Sequence, residues 1–447
     1  MSRSTYESRR PGSLRLAFAT IEYPPDPLSS GIGTYTQTVA TQLAARGHRV
    51  FVVTRNHVNE ESVTEEDGVT IYRLTPKRPT LPDNLGRAQL ARLILSNAVD
   101  EVRYRRRLAK TLHTLAREEH LDLIEAADHF AEPNLYRPKR HPHVPFVVRL
   151  HTPMAFSETI DKNISEPVRR GVGWFERNLL ERATYLSAPS ERAAEAFLDL
   201  FGLERPVTVF PNPTSYDVRE NSVSEQEGSE PNVLFVGRVT RWKGAHLLMQ
   251  AVPAVLERVP SARFTIAGSA HVPTNGFPST EAYLLSLVPG RYRSRVTFLG
   301  HVPHEQLTEH YERATVCVFP SLFEAFGYTC LEAMSLGKAV IGSRNGGMVD
   351  LLDGGKAGKL FTPPDVDELA RHIVTLLQNE TLRAELGARA LARVQTHYTP
   401  EVVMAQTEAF YRRAVAERKG ASQETSSRAQ RVRRGETGLE DTVLEET

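Results

Sequence analysis

The chain has 447 residues, and at about 150 residues per domain that length implies two or three domains rather than one small module. Lys and Arg number 55 against 54 Asp and Glu, a net charge of +1, which lacks the basic excess of a dedicated nucleic-acid binder. Cys317 and Cys330 are the only cysteines, so a disulfide framework is excluded and a reducing, cytoplasmic setting is expected; no apolar run approaches the ~18 residues of a membrane span.

Residues 1–13 read as a polar, disordered leader. Arg9 and Arg10 followed by Leu14-Arg15-Leu16-Ala17-Phe18-Ala19 imitate a secretory signal, but the stretch is short and carries Arg15, so it reads as the first buried strand. In chain order, residues 14–21, 50–54, 69–74, 121–126, 144–150 and 184–188 have strand character, with helical stretches over 34–46 and 85–119. Gly47 supplies the stop signal of the first helix. Short strands alternating with helices imply parallel βαβ units and an α/β fold. Pro211-Asn212-Pro213 closes a first half spanning 14–213. Residues 214–230 are rich in Ser and Glu and lack apolar periodicity, which marks a linker. A second half, 231–398, repeats the alternation with strands at 233–236, 263–267, 296–299, 316–319 and 339–341. Residues 399–416 read as an amphipathic helix packing back on the first half, and 417–447 as a disordered tail. Sheets of this kind bind ligands outside the carboxyl ends of their strands, so a cleft between the halves is the expected site.

Several familiar motifs fail. Gly31-Ile32-Gly33 lacks the third glycine of a dinucleotide fingerprint, Thr36 standing in its place, and Thr54-Arg55 ends the second strand without a ribose-binding acid. Gly358-Lys359 is no P-loop, because Asp353 replaces the leading glycine and Leu360 the hydroxyl residue. Asp365-Val366-Asp367 follows Pro363-Pro364 at a helix start, where acids cap amides rather than bind metal.

One constellation carries chemistry. In Phe319-Pro320-Ser321-Leu322-Phe323-Glu324-Ala325-Phe326-Gly327-Tyr328, a buried strand ends in a loop holding Glu324 and a helix begins near Phe326, its free N–H groups forming an anion site. Glu332 lies eight residues beyond Glu324, roughly 12 Å along the axis if the spacing is helical. Two carboxylates that far apart do not share a proton or a metal ion. They suit hydroxyls at opposite ends of an elongated ligand with a phosphate group between. Arg238 and Lys243, at a strand end and the next helix start, offer a fork and a point charge matched to a diphosphate.

The stretch 236–244, Glu324 with Glu332, and Gly346-Gly347 resemble the donor-binding half of glycosyltransferase family 4. Gly31-Ile32-Gly33 is similar to that family's glycine loop, His151-Thr152-Pro153 to its active-site histidine segment, and Pro211-Asn212 to its linker entry. The resemblance runs from about residue 14 to 416. It implies a GT-B fold of two Rossmann-like domains facing across a cleft. It also implies a retaining, metal-independent transferase that needs no cofactor beyond a nucleotide-diphosphate sugar as co-substrate. Arg238 and Lys243 would then hold the diphosphate, Glu332 the ribose, and Glu324 and His151 the transferred sugar. Phe326 and Gly327 would line the donor, and Gly31 and Gly33 would let backbone approach the phosphates. Ala325, Ala339, Pro213 and Asp350 depart mildly from the family pattern and bear on donor preference. The acceptor would be a glycan, a lipid-linked sugar or a small molecule, with no nucleic acid involved.

Two other readings stand beside this one. A glycan phosphorylase or other sugar-nucleotide enzyme would share the fold. A non-catalytic membrane-surface scaffold would use the basic run Arg103, Arg105, Arg106, Arg107 and Lys110, whose blander role is a solvated helix face.

Overall fold

The computed structural model describes residues 12–25, 30–56, 60–76, 87–161, 164–216, 218, 230–270 and 274–433. The expected leader up to residue 11, most of the expected linker and residues 434–447 of the expected tail lie outside the described residues.

Two α/β halves form. The first sheet contains β1 (Arg15–Thr20), β2 (Arg49–Arg55), β3 (Ser62–Glu66), β4 (Val69–Leu74), β5 (Leu123–Ala127), β6 (Phe146–Arg149), β7 (Tyr185–Ala188) and β8 (Val207–Val209), in the order β3-β4-β2-β1-β5-β6-β7-β8. The second contains β9 (Asn232–Val236), β10 (Arg263–Ala267), β11 (Val296–Gly300), β12 (Val316–Phe319), β13 (Val340–Ser343) and β14 (Lys359–Phe361), in the order β11-β10-β9-β12-β13-β14. Every pairing is parallel except β3 against β4. The central strands are near-continuous apolar runs because helices cover both faces of each sheet. The strand order reverses between β1 and β5 in one half and between β9 and β12 in the other. Such switch points open a crevice at the carboxyl ends of the strands.

Strands β3, β8 and β14 were not expected from the sequence. β3 reads Ser-Val-Thr-Glu-Glu, a polar edge with one side to water. It joins β4 through Asp67 and Gly68, both at positive φ (50° and 76°), the conformation of a tight primed hairpin turn. β8 and β14 span three residues each, too few to leave a period.

Helix α1 (Gly31–Ala45) starts at Gly31 rather than Thr34, so Gly31 and Gly33 sit in its first turn instead of a preceding loop. Helix α2 (Arg87–Glu118) carries the basic run, and the structure largely neutralises it. Arg103 pairs with Asp100 and Arg105 with Glu101, while Arg107 pairs with Glu61. The first two pairs lie three and four residues apart on the helix, whereas the third was hidden in the sequence because Glu61 comes from the distant edge of the sheet. The C-terminal helix runs from Pro400 to Arg433, past the boundary expected at 416. Its polar continuation is held by the first half: Tyr185 donates to Glu417, Arg418 to the Pro142 carbonyl, and Lys419 to Asp122. Among the described residues, no helix is long and apolar enough to cross a membrane.

Helices α3 (Met154–Asp161) and α4 (Glu166–Arg182) follow β6. Phe156 of α3 and Phe197 pack at a tilt against Phe323 of the second half, and Phe156 also meets Trp242 edge to face. Ser190 donates to the Ala325 carbonyl at 2.8 Å. These contacts hold the two halves together beside the loop that carries Glu324.

Candidate active site

In the second half, β9 and β12 flank the switch point and present two loops. After β9 come Gly237, Arg238 and Lys243, and then Gly244 at φ +72°. A Cβ on Gly244 would lie 1.8 Å from the Pro320 carbonyl oxygen, so only glycine lets this turn close against the loop that follows β12. That loop is fixed by Leu322, whose N–H donates to the Trp242 carbonyl at 2.8 Å. The closure brings together residues 81 positions apart: Lys243 Nζ lies 2.6 Å from Glu324 Oε2. Ser321 Oγ donates to the same oxygen at 3.1 Å.

Gly346-Gly347 pins the backbone of Glu324. Glu324 N–H donates to the Asn345 carbonyl, and Gly347 N–H donates to the Glu324 carbonyl at 2.6 Å. A side chain on Gly346 would strike that carbonyl at 2.2 Å, and one on Gly347 would strike the Ala325 carbonyl at the same distance. The next helix begins at Tyr328, with Gly327 at φ 103° as its cap. Glu324 therefore stands outside the helix, and its separation from Glu332 is not the helical one assumed from spacing. The Phe326 ring is 5% exposed and packs near Tyr328 and Tyr398. That places it in the core, with only its backbone left to meet a ligand.

Glu332 is buried, and its Oε2 accepts from Tyr311 Oη at 2.8 Å. His304 Nε2 lies 3.4 Å from Oε1, and this carboxylate raises the imidazole above the usual histidine range. Tyr216 stacks edge-on against His304 with ring centres 4.9 Å apart. Arg238 is exposed at its strand end, and its charge reaches His129 of the first half, helping to depress that histidine.

In the first half, His151 follows β6 and packs against Tyr35 at 4.9 Å between ring centres. Burial and then Arg149 hold its protonation well below the ordinary histidine range. Its backbone N–H donates to Asp128 Oδ1 at 2.9 Å. Asp128 is fully enclosed at the end of β5, and burial pushes its carboxyl up to about 7. His129 stands beside it; its Nδ1 lies 2.7 Å from the Thr152 carbonyl, and burial lowers it to about 4. Glu176 of α4 accepts from the N–H groups of Phe130, Met154 and Ala155 at 2.7–3.1 Å, and burial raises it to about 8. This carboxylate ties the end of β5 to the start of α3. Gly31 opens α1 against the other half: a Cβ there would meet the Tyr328 ring at 3.2 Å.

The candidates thus fall into three groups. Lys243 and Glu324 touch, with Arg238 on the same loop. Glu332 sits farther along the helix with Tyr311 and His304. His151, Gly31 and Gly33 belong to the facing half, and among the described residues no hydrogen bond or ion pair joins His151 to the second-half candidates. Sequence reasoning missed Asp128, His129, Glu176, Tyr311 and His304. Asp128-His129 at a strand's carboxyl end was the one available signal. Among the described residues, no cluster of three or more His, Cys, Asp or Glu could hold a metal ion.

Comparisons with known proteins bear on this geometry. A family model described as glycosyl transferase 4-like domain matches residues 30–213, and one described as glycosyl transferases group 1 matches residues 230–379. The glycogen synthase of Mycobacterium tuberculosis is 25% identical over 89% of this chain and 94% of its own length. Among solved structures, sucrose-phosphate synthase from Thermosynechococcus elongatus aligns with a TM-score of 0.69 at 23% identity, over 90% of this chain and all of that one. Anabaena HepE, in complex with UDP-glucose, aligns with a TM-score of 0.62 at 18% identity, over 91% of this chain and all of that one. The two facing parallel-sheet halves are those of the GT-B fold, and the chain belongs to the family 4 type of glycosyltransferases, transferases of the EC 2.4 class.

Proposed function

We propose that the chain moves a sugar from a nucleoside-diphosphate sugar to an acceptor hydroxyl, with retained anomeric configuration and without a metal ion. The observation that carries this reading is the Lys243–Glu324 pair at 2.6 Å beside Arg238 at the switch point. It sets a cation made for phosphate against a carboxylate made for sugar hydroxyls. The UDP-glucose bound by the Anabaena neighbour supports a nucleotide-sugar donor.

In this reading Arg238 and Lys243 hold the diphosphate. Lys243 Nζ exchanges the Glu324 carboxylate for a phosphate oxygen, and Glu324 then accepts from the sugar. Glu332 accepts from the ribose hydroxyls, its carboxylate oriented by Tyr311. As the anomeric bond breaks, oxocarbenium character grows on the sugar and negative charge on the departing diphosphate. Fixed cations aimed at that charge act mainly in the transition state, each worth ~3 kcal/mol. His151 is uncharged at neutral pH because burial and Arg149 oppose its protonation, so it serves as a neutral hydrogen-bonding partner held in place through Asp128. The departing phosphate oxygen takes the acceptor proton on the face it leaves. Closure of the halves keeps water out and suppresses hydrolysis.

The test is a thermal-stabilisation screen of nucleotide sugars, followed by detection of released nucleoside diphosphate with acceptor extracts and of product configuration by NMR. A donor that stabilises the protein and turns over in the presence of chelator, with retained configuration, is the expected result. A panel in which no nucleotide sugar stabilises or turns over, or in which chelator abolishes turnover, refutes the reading.

A further inference from the structure

Among the described residues, the most exposed aromatic pair lies on α4. Trp174 is 60% exposed, Phe175 46% and Val168 53%, and the two rings meet edge to face at 4.9 Å. The same helix buries Glu176, Leu179 and Leu180. An exposed apolar cluster of this kind on one helix marks a docking surface for a partner.

Charge identifies that partner. At the carboxyl end of α4, Arg182 donates to the Tyr136 carbonyl at 3.3 Å, and Arg137 donates to the same oxygen at 3.5 Å. Two guanidinium groups are thereby held side by side, and burial together with Arg137 lowers Arg182 from its ordinary value. Lys139 and Arg140 extend the corner, both exposed. Among the described residues, none of these four cations has a carboxylate partner. Their field extends to His113 and His141, whose protonation is opposed by burial and by Arg140. The basic run of α2, in contrast, is mostly spent on Asp100, Glu101 and Glu61. Along α4 itself Arg169 and Arg170 pair with Glu166, and Arg177 with Glu181, so the unopposed charge sits at one end.

We infer that Trp174, Phe175 and Val168, with the cationic corner of Arg137, Lys139, Arg140 and Arg182, seat the first half on an anionic lipid bilayer. Trp at the headgroup level with Arg and Lys beside it is the arrangement of an interfacial helix. The contact bears on the cleft through Glu176, the residue after Phe175, which holds Phe130, Met154 and Ala155 next to His129 and His151. This docking stands independently of which donor the cleft takes.

The chain has two tryptophans, and Trp242 is 7% exposed, so Trp174 reports the contact. The full chain is mixed with vesicles of phosphatidylcholine alone, or of phosphatidylcholine and phosphatidylglycerol in equal parts. The inference predicts flotation and a blue shift of emission with the anionic vesicles only, weakening as salt is added. The shift disappears in Trp174→Phe. Lys139→Glu with Arg140→Glu, both on exposed side chains, lowers partitioning at least tenfold, since each cation near such a surface contributes about fivefold. Absence of binding to anionic vesicles, or unchanged binding in Trp174→Ala/Phe175→Ala, overturns it. So does a protein dimer that this double variant dissolves while vesicles leave emission unchanged.

Discussion

Replacing Lys243 with alanine separates the chemical role of this residue from any structural one. The Lys243 and Glu324 side chains are 23% and 14% exposed, and their 2.6 Å ion pair is joined by Ser321. A pair with that much solvent contact contributes on the order of 1 kcal/mol to stability, so the melting temperature should fall by only about 2–4 °C. The effect on the reaction is larger. A fixed donor facing the developing diphosphate charge is worth ~3 kcal/mol, which is about 150-fold in rate. Initial rates of nucleoside diphosphate release at saturating acceptor should show the loss in both kcat and kcat/KM, as expected for an interaction strongest in the transition state. Lys243→Arg should recover part of it, because charge is kept while the planar fork fits the tight turn before Gly244 poorly. The double variant Lys243→Ala/Glu324→Gln should lose less than the sum of the two single changes, since the groups are in contact. Turnover within about threefold of wild type in Lys243→Ala, in a folded protein, would refute the reasoning.

Three further outcomes follow from named contacts. Gly244→Ala forces a Cβ to within 1.8 Å of the Pro320 carbonyl at φ +72° and should cost at least about 1–2 kcal/mol; an unchanged urea midpoint would contradict it. Tyr411→Phe removes the 2.8 Å hydrogen bond to buried Glu125 and should cost about 1–2 kcal/mol; denaturant titration checks this, and no loss would mean the C-terminal helix is not anchored there. Asp128, pushed up to about 7 by burial from an ordinary 3.8, stabilises the fold fully below the unfolded value and loses that contribution as pH rises through about 7. Asp128→Asn should therefore reduce the fall in urea midpoint between pH 5 and pH 8, and a slope equal to wild type would show that this carboxyl does not titrate in that window.

Much of the fold could be read from the chain because its cause is local. Buried parallel strands need apolar runs, and β1, β2, β9 and β12 fall where those runs lie. What escaped depended on neighbours distant in sequence. β3 is polar because it is an edge paired only with β4. Glu176 sits among charged residues and looks like a solvated helix face, yet it is buried because three amides converge on it. Phe326 stands beside Glu324 in sequence but turns into the core, since Gly327 reverses the backbone before the helix starts. The residues after 416 carry no apolar pattern, and the first half holds them through Glu417, Arg418 and Lys419 instead. The positions of Lys243 and Glu324 were visible as motifs. Their direct contact was not, because it depends on the glycine turn at 244 closing against Pro320.

The central claim is that the second half clamps a diphosphate between Arg238 and Lys243. A crystal structure with the nucleoside diphosphate selected by the stabilisation screen tests it most directly. The account predicts phosphate oxygens within hydrogen-bond distance of both cations, Lys243 Nζ moved off Glu324, and ribose hydroxyls on Glu332. A bound nucleotide that leaves the Lys243–Glu324 pair at its present 2.6 Å, with its phosphates elsewhere, would contradict it.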